Sequence, residues 1–291
     1  MKKLIKRTLV GVGVFLTLLL FIYLSSLNEF IFDILLLVGL GVSLIEMLQL
    51  AEKSGIKVIT APLLMLLVAL FPLIYFFSLK GVVIAAVCVL FLIFSFFIFT
   101  KEYTLTDFFY TVFVAFYPLI AFAFAFYIIH FEYKGAELGL IPFLLPLGGA
   151  FSGDMFAFYF GSMIKGCKPK FLEHVSPNKT YAGCIFEVPG GAVGGIIVYL
   201  LFEAWGFPLF APFRFASFME GVHPLVFYTS LGAFFAIIAL FGDLFASRIK
   251  RAFGIKDFSN LLGPQGGITD RLDSAFFCIP VMALIIAIFA A

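Results

Sequence analysis

The sequence is short of charge. Asp, Glu, Lys and Arg make up 12% of its 291 residues, about half the share usual in a soluble domain. It has one Trp, three His and four Cys. The cysteines, Cys88, Cys167, Cys184 and Cys278, form neither a CxxC pair nor a Cys/His zinc spacing, which leaves free thiols as the expectation. His130, His174 and His223 are scattered and offer no ligand pair. The net charge of +2 says little about partners, and no nucleic-acid partner is expected. Internal repeats, low-complexity linkers and a soluble domain are all missing.

What the chain has instead is apolar surface. Hydrophobic residues reach 63%, with 43 Phe. They come in runs of roughly 18 or more, enough to cross about 30 Å of hydrocarbon. The expected fold is an all-α polytopic membrane protein, because backbone groups in lipid must bond within their own segment. Hydropathy places about nine spans, near 8–25, 30–50, 58–78, 82–100, 107–129, 139–162, 183–203, 225–247 and 270–290. The first run follows Lys2, Lys3, Lys6 and Arg7 but lacks a small-residue cleavage site, so it is read as a helix and not as a removed leader.

With the N-terminus inside, 16 Lys and Arg fall on the cytoplasmic side and 3 (Lys80, Lys134, Arg214) outside. That asymmetry is the positive-inside pattern. It predicts a cytoplasmic N-terminus, an external C-terminus and two cytoplasmic loops, about 163–182 and 248–269. Residues 1–135, about five spans, read as a scaffold. Residues 136–291, about four spans, carry the polar chemistry.

Charge is densest in the stretch Ser247 to Asp273, SRIKRAFGIKDFSNLLGPQGGITDRLD, which holds eight charged residues between two apolar segments. Bases (Arg248, Lys250, Arg251, Lys256, Arg271) alternate with acids (Asp257, Asp270, Asp273). A loop that is basic only to set topology does not need those acids. The mixture suits a metal held by carboxylates and a phosphate held by cations, beside a bilayer.

Four constellations carry that reading. Asp243, in FGDLFASRIKR near the end of the eighth span, has Ser247 one turn on along the same face. An acid at this depth needs a partner or a cation; pairing with Arg248 or Lys250 is the plain alternative. Asp270 and Asp273 open the ninth span three residues apart, on one face of a helix start. Helix capping accounts for one acid there, not two. Gly266 and Gly267 just before them let backbone approach a ligand closely. Asp154, in GGAFSGDMFAFYFG, is a third carboxylate for the same cavity, with a structural pairing to a base as the alternative. HVSPNKTYAG places Ser176, Lys179 and Thr180 before a helix N-terminus, an arrangement that suits anions. Mg2+ is the expected cation, since it takes a few carboxylates and completes its shell with water and substrate phosphate; a second cation is admitted. Glu187 lies where it could touch this site, whereas Glu46 and Asp33 find no role.

The stretch Ser247–Asp273 closely resembles the signature of the CDP-diacylglycerol synthases, or phosphatidate cytidylyltransferases. Ser247, Lys250, Arg251, Lys256, Asp257, Gly266, Gly267, Asp270, Arg271 and Asp273 stand in register with it. HVSPNKTYAG is similar to a second family segment, and Asp154 and Asp243 sit where the family has acids, so the likeness spans roughly 148–274. Gln265 stands where the family usually has His, Asn178 replaces a common Lys, and Tyr181-Ala182 a usual Trp-Glu.

The resemblance implies a prokaryotic cytoplasmic-membrane enzyme whose active site faces the cytoplasm. Its substrates would be CTP and phosphatidic acid, its surroundings membrane lipids, and a homodimer is admitted. Asp243 and Asp270 would hold Mg2+, with Asp154 and Asp273 as ligands or close support. Lys179, Lys250, Arg251, Lys256 and Arg271 would offset phosphate charge, while Ser176, Thr180, Ser247, Gly266 and Gly267 would line the nucleotide. Within the same fold, the alternatives are a CTP-dependent lipid kinase or a cytidylyltransferase for an isoprenoid lipid. An intramembrane aspartyl protease needs Tyr-Asp and Gly-x-Gly-Asp strings that do not occur. A secondary transporter predicts a repeat and charges near the midplane.

Overall fold

In the computed structural model the described residues are 20, 21, 23, 24, 30–133, 136, 137, 140–164, 175–177, 179–205, 222–263 and 266–290. The first expected span falls almost entirely outside them, as do Lys134, Lys165, Cys167, Lys168, Lys170, His174, Asn178, Arg214 and Gln265.

Seven helices among the described residues are long and apolar enough to cross a membrane. In chain order they are α1 (Phe30–Lys53), α2 (Thr60–Phe77), α3 (Leu79–Phe99), α4 (Leu105–Ile129), α5 (Leu140–Met163), α6 (Tyr181–Ala204) and α7 (Pro224–Ala252). A shorter apolar helix, α8 (Ala275–Ala290), follows. Strand structure among these residues is limited to one ladder, β1 (Glu132–Tyr133) with β2 (Ala136–Glu137). The fold is therefore a helical membrane protein. Large side chains such as Val68, Phe76, Phe91 and Phe99 are mostly exposed; in water such surface would aggregate, in lipid it costs nothing.

Two compact units emerge. The first comprises residues 1–127 together with 257–272; the second comprises 128–256 and 273–291. In the first unit, α1 turns a face inward that includes Phe32, Leu36, Leu40, Leu44 and Met47. The start of α4 is fixed by a capping box in which Thr104 and Asp107 each accept the other's backbone N–H. The Asp107 carboxylate also accepts from Lys57 N at 2.7 Å.

In the second unit, α5, α6 and α7 pack backbone against backbone. A Cβ added to Gly232 of α7 would collide with the carbonyl of Gly191 and stand 2.8 Å from the amide nitrogen of Gly195, both on α6. On an adjacent face of α6, Gly194 leaves no room for a Cβ against Gly148 and Ser152 of α5. Small residues at crossings are how helices approach closely where lipid removes the hydrophobic drive between them. The approach brings Asp154 of α5, Glu187 of α6 and Asp243 of α7 close enough for all three to act electrostatically on Lys179.

The ninth expected span starts differently from the sequence reading. A single turn, Thr269–Leu272, precedes α8, and the chain breaks at Asp273 and Ser274 before Ala275. Asp270 and Asp273 thus do not share one continuous helix face. The break is stabilised locally: Ser274 N donates to Asp273 Oδ1 at 2.9 Å, and the Ser274 carbonyl accepts from Cys278 N at 3.1 Å.

Candidate active site

In the second unit, Lys179 precedes α6 by two residues, where Thr180 caps the helix through Gly183 N at 3.0 Å. The cap orients the chain so that the Lys179 ammonium lies 2.9 Å from Asp243 Oδ2 on α7 and 3.8 Å from Glu187 Oε2, two turns into α6. Asp243 thus has in Lys179 a partner that its own helix, with Arg248 and Lys250, does not supply. Its side chain stays 30% exposed, whereas Glu187 is 1% exposed. Neither Glu187 oxygen accepts a hydrogen bond among the described residues. Burial alone would pull Lys179 toward neutrality, but the carboxylates of Asp243 and Glu187, with Asp154 behind them, hold its pKa above the ordinary value.

Beside this pair stands another. Lys250, buried in the last turn of α7, reaches Asp273 Oδ2 at 3.5 Å. Asp273 sits against Gly242, where a Cβ would come 3.1 Å from the Asp273 carbonyl, so Gly242 admits the chain that carries the acid. Burial lifts the Asp273 pKa to about 7; Lys250 opposes that shift, while the charges of Asp243 and Asp154 add to it. Four acids (Asp154, Glu187, Asp243, Asp273) thus share one electrostatic neighbourhood with two bases (Lys179, Lys250). Acids outnumber bases four to two, and Glu187, a buried carboxylate that shares Lys179 with Asp243, is one that an added cation would relieve.

Other expected residues occupy the periphery. Ser176 is half-buried, and its carbonyl accepts from Lys179 N at 3.2 Å. Ser247 is half-buried one turn beyond Asp243; Asp154 and Lys256 are exposed. Arg251 is exposed, and its Nη1 donates to Ile255 O at 3.1 Å.

Asp270, Arg271, Gly266 and Gly267 belong to the first unit. Asp270 is buried, and its Oδ2 accepts from Phe258 N at 2.8 Å and Gly267 N at 2.9 Å. Gly266 has φ +82°, a left-handed value that favours glycine, and a Cβ there would stand 2.8 Å from Asp270 Oδ2. Arg271 is exposed.

The profile of the Cytidylyltransferase family matches residues 5–289, nearly the whole chain. The chain belongs to the cytidylyltransferase family. Relatives named phosphatidate cytidylyltransferase include one from Aquifex aeolicus, 35% identical over 64% of this chain and 60% of the relative. One from Brucella abortus is 32% identical over 54% of this chain and 51% of its own length. One from Bacillus subtilis is 27% identical over 98% of both. The chain thus spans about half to three-fifths of the first two relatives and almost all of the third. Sequence reasoning placed Asp154, Asp243, Asp270, Asp273, Lys179, Lys250 and Arg271 in one site; Asp154, Asp243, Asp273, Lys179 and Lys250 belong to the second unit, and Asp270 and Arg271 to the first. It gave Glu187 only a marginal place and missed Glu46, to which the first unit gives three hydrogen bonds.

Proposed function

We propose that this chain is a phosphatidate cytidylyltransferase of the cytoplasmic membrane face. It would convert CTP and phosphatidic acid to CDP-diacylglycerol and pyrophosphate. The observation that carries the reading is the acid-rich cluster around the Lys179–Asp243 pair, in a chain matched almost end to end by the cytidylyltransferase profile. Nine spans, an internal N-terminus and an active site facing the cytoplasm belong to the same reading. They rest on the distribution of Lys and Arg.

The reaction joins a phosphatidate oxygen to the α-phosphorus of CTP. The bond from that phosphorus to the bridging oxygen breaks, and the electron pair leaves with pyrophosphate. The attacking phosphate oxygen is already anionic, so no side chain need remove a proton from it. The difficulty is bringing two polyanions together, and the work is electrostatic positioning.

Among the described residues no three His, Cys, Asp or Glu side chains form a ready metal cage. Mg2+ does not require one, since one or two carboxylates with water and substrate phosphates usually complete its shell. What supports a cation here is that acids outnumber bases around Asp243 and that the buried Glu187 oxygens accept no hydrogen bond among the described residues. When bound, Mg2+ would neutralise triphosphate charge, with Asp243 as its holder here and Asp154 and Asp273 as close support. Asp270 joins the proposed set through its place in the signature. Lys179 and Lys250 would exchange their carboxylate partners for substrate phosphate oxygens. Arg251, Lys256 and Arg271, exposed near the signature, would draw the anions in. Ser176, Thr180 and Ser247 are the proposed hydroxyl contacts to the nucleotide, and Gly266 and Gly267 its backbone contacts.

The test is conversion of labelled CTP to a lipid-soluble product by purified protein in detergent. Phosphatidate and a polyprenol or polyprenyl phosphate would be offered in parallel. Product from phosphatidate is expected; product from the isoprenoid lipid alone would overturn the reading.

A further inference from the structure

Glu46 lies in α1, in the stretch whose acids the sequence left without a role, and is 2% exposed. A carboxylate in an apolar span is costly unless its oxygens are satisfied. Here three donors satisfy it, and all three come from the signature stretch more than two hundred residues away. Oε1 accepts from the Ser259 hydroxyl at 2.6 Å and from Ile268 N at 2.9 Å. Oε2 accepts from Thr269 N at 2.8 Å. A Cβ on Gly267 would collide with this carboxylate and with the Ser259 hydroxyl, so the glycine makes room for both.

The same stretch is braced from within by Asp270, which accepts from Phe258 N and Gly267 N. Consecutive amides of Gly267, Ile268 and Thr269 therefore all end on carboxylates, the first on Asp270 and the next two on Glu46. A run of N–H groups of this kind is a ready anion site. In this chain protein carboxylates fill it, and the result is a fixed backbone directly before Asp270 and Arg271.

We propose that Glu46 is a positioning residue for the reaction, a clamp by which α1 holds Ser259, Ile268 and Thr269 of the signature stretch and so aims Asp270 and Arg271. The proposal rests on the phosphatidate cytidylyltransferase reading for its effect on turnover, but the clamp has a readout of its own.

The experiment compares full-length wild type, Glu46→Gln and Ser259→Ala in detergent. The glutamine keeps size and shape but presents an N–H where a backbone N–H already points. Trypsin cleavage after the exposed Lys256 and Arg271 reports whether the stretch is held, whatever the reaction. Cleavage is expected to quicken severalfold in Glu46→Gln, and less in Ser259→Ala, with the melting temperature of the whole protein little changed. The kcat for cytidylyl transfer should fall on the order of 10²-fold in Glu46→Gln, the scale expected when a supporting residue misplaces a catalytic group. The KM for phosphatidate should hold.

Wild-type cleavage and wild-type kcat in Glu46→Gln would overturn the clamp. So would a kcat loss that merely tracks a lowered melting temperature in both variants. If Glu46→Gln fails to fold, Ser259→Ala decides the matter by the same two readouts. Faster cleavage in a protein whose wild type makes no CDP-diacylglycerol would keep the clamp and remove the reaction instead.

Discussion

Lys179 Nζ lies 2.9 Å from Asp243 Oδ2, joining the segment before α6 to α7 through one ion pair. Lys179 is 17% exposed and Asp243 30%, so the pair borders solvent and can open to an incoming ligand. An ammonium resting on the carboxylate expected to hold a cation is already in place for the phosphate that the cation would bring.

Replacing Lys179 by Met should mainly weaken substrate binding. A charge-assisted hydrogen bond is worth about 1.5–3 kcal/mol, and each 1.4 kcal/mol is about tenfold. The KM for CTP or phosphatidate should therefore rise roughly tenfold to a hundredfold. Steady-state kinetics with each substrate varied in turn is the check. Unchanged KM for both would reduce Lys179 to a charge that sets topology.

Asp273 gives a pH dependence with a defined sign. Burial and the charge of Asp243 raise its pKa to about 7 against the pull of Lys250. A carboxyl whose pKa is raised on folding holds its proton more tightly in the folded state. Its contribution to stability is thus complete below the unfolded value of about 4 and is lost as pH rises through about 7. Without added metal, the melting temperature should fall between pH 5 and pH 8, and Asp273→Asn should flatten that slope. If Mg2+ uses this carboxylate, half-saturation by Mg2+ should need less metal at pH 8 than at pH 6. A slope that survives in Asp273→Asn would assign it elsewhere.

Gly232→Ala tests the helix crossing that gathers the cluster. The new Cβ would meet the Gly191 carbonyl and the Gly195 amide, backbone atoms that cannot swing aside. A loss of about 1–3 kcal/mol is expected, as for overpacking in a dense interior, and a melting curve in detergent measures it. The same substitution at Gly41, where a Cβ meets nothing within 4 Å, should be close to neutral. Equal behaviour of the two would mean α6 and α7 are not in close backbone contact.

Helices were legible because lipid imposes length and hydropathy together. Phe30, Thr60, Leu140 and Tyr181 begin helices within a few residues of the hydropathy boundaries. The break at Asp273 was hidden, because DRLD reads as an ordinary acidic helix start until Ser274 and Asp273 are seen bonding to each other. The acids and bases of the second unit were legible as a set of residue types. The partners were not: Arg248 and Lys250 stood as the alternative to a cation at Asp243, and the fold sets Lys179 against it. Glu46 lay beyond reach for the same reason, since a lone acid in an apolar helix does not announce a donor set at Ser259, Ile268 and Thr269.

The most direct test of the central claim is Asp243→Asn assayed for CDP-diacylglycerol and pyrophosphate together, with CTP, phosphatidate and Mg2+ supplied. The amide keeps the shape of a side chain that is partly exposed, so the melting temperature should stay near wild type. Turnover should fall on the order of 10²- to 10³-fold, the usual cost of removing one electrostatic element from an active site. Wild-type turnover should vanish in excess chelator. Near-normal formation of both products by Asp243→Asn, or wild-type turnover undiminished by chelator, would contradict the account.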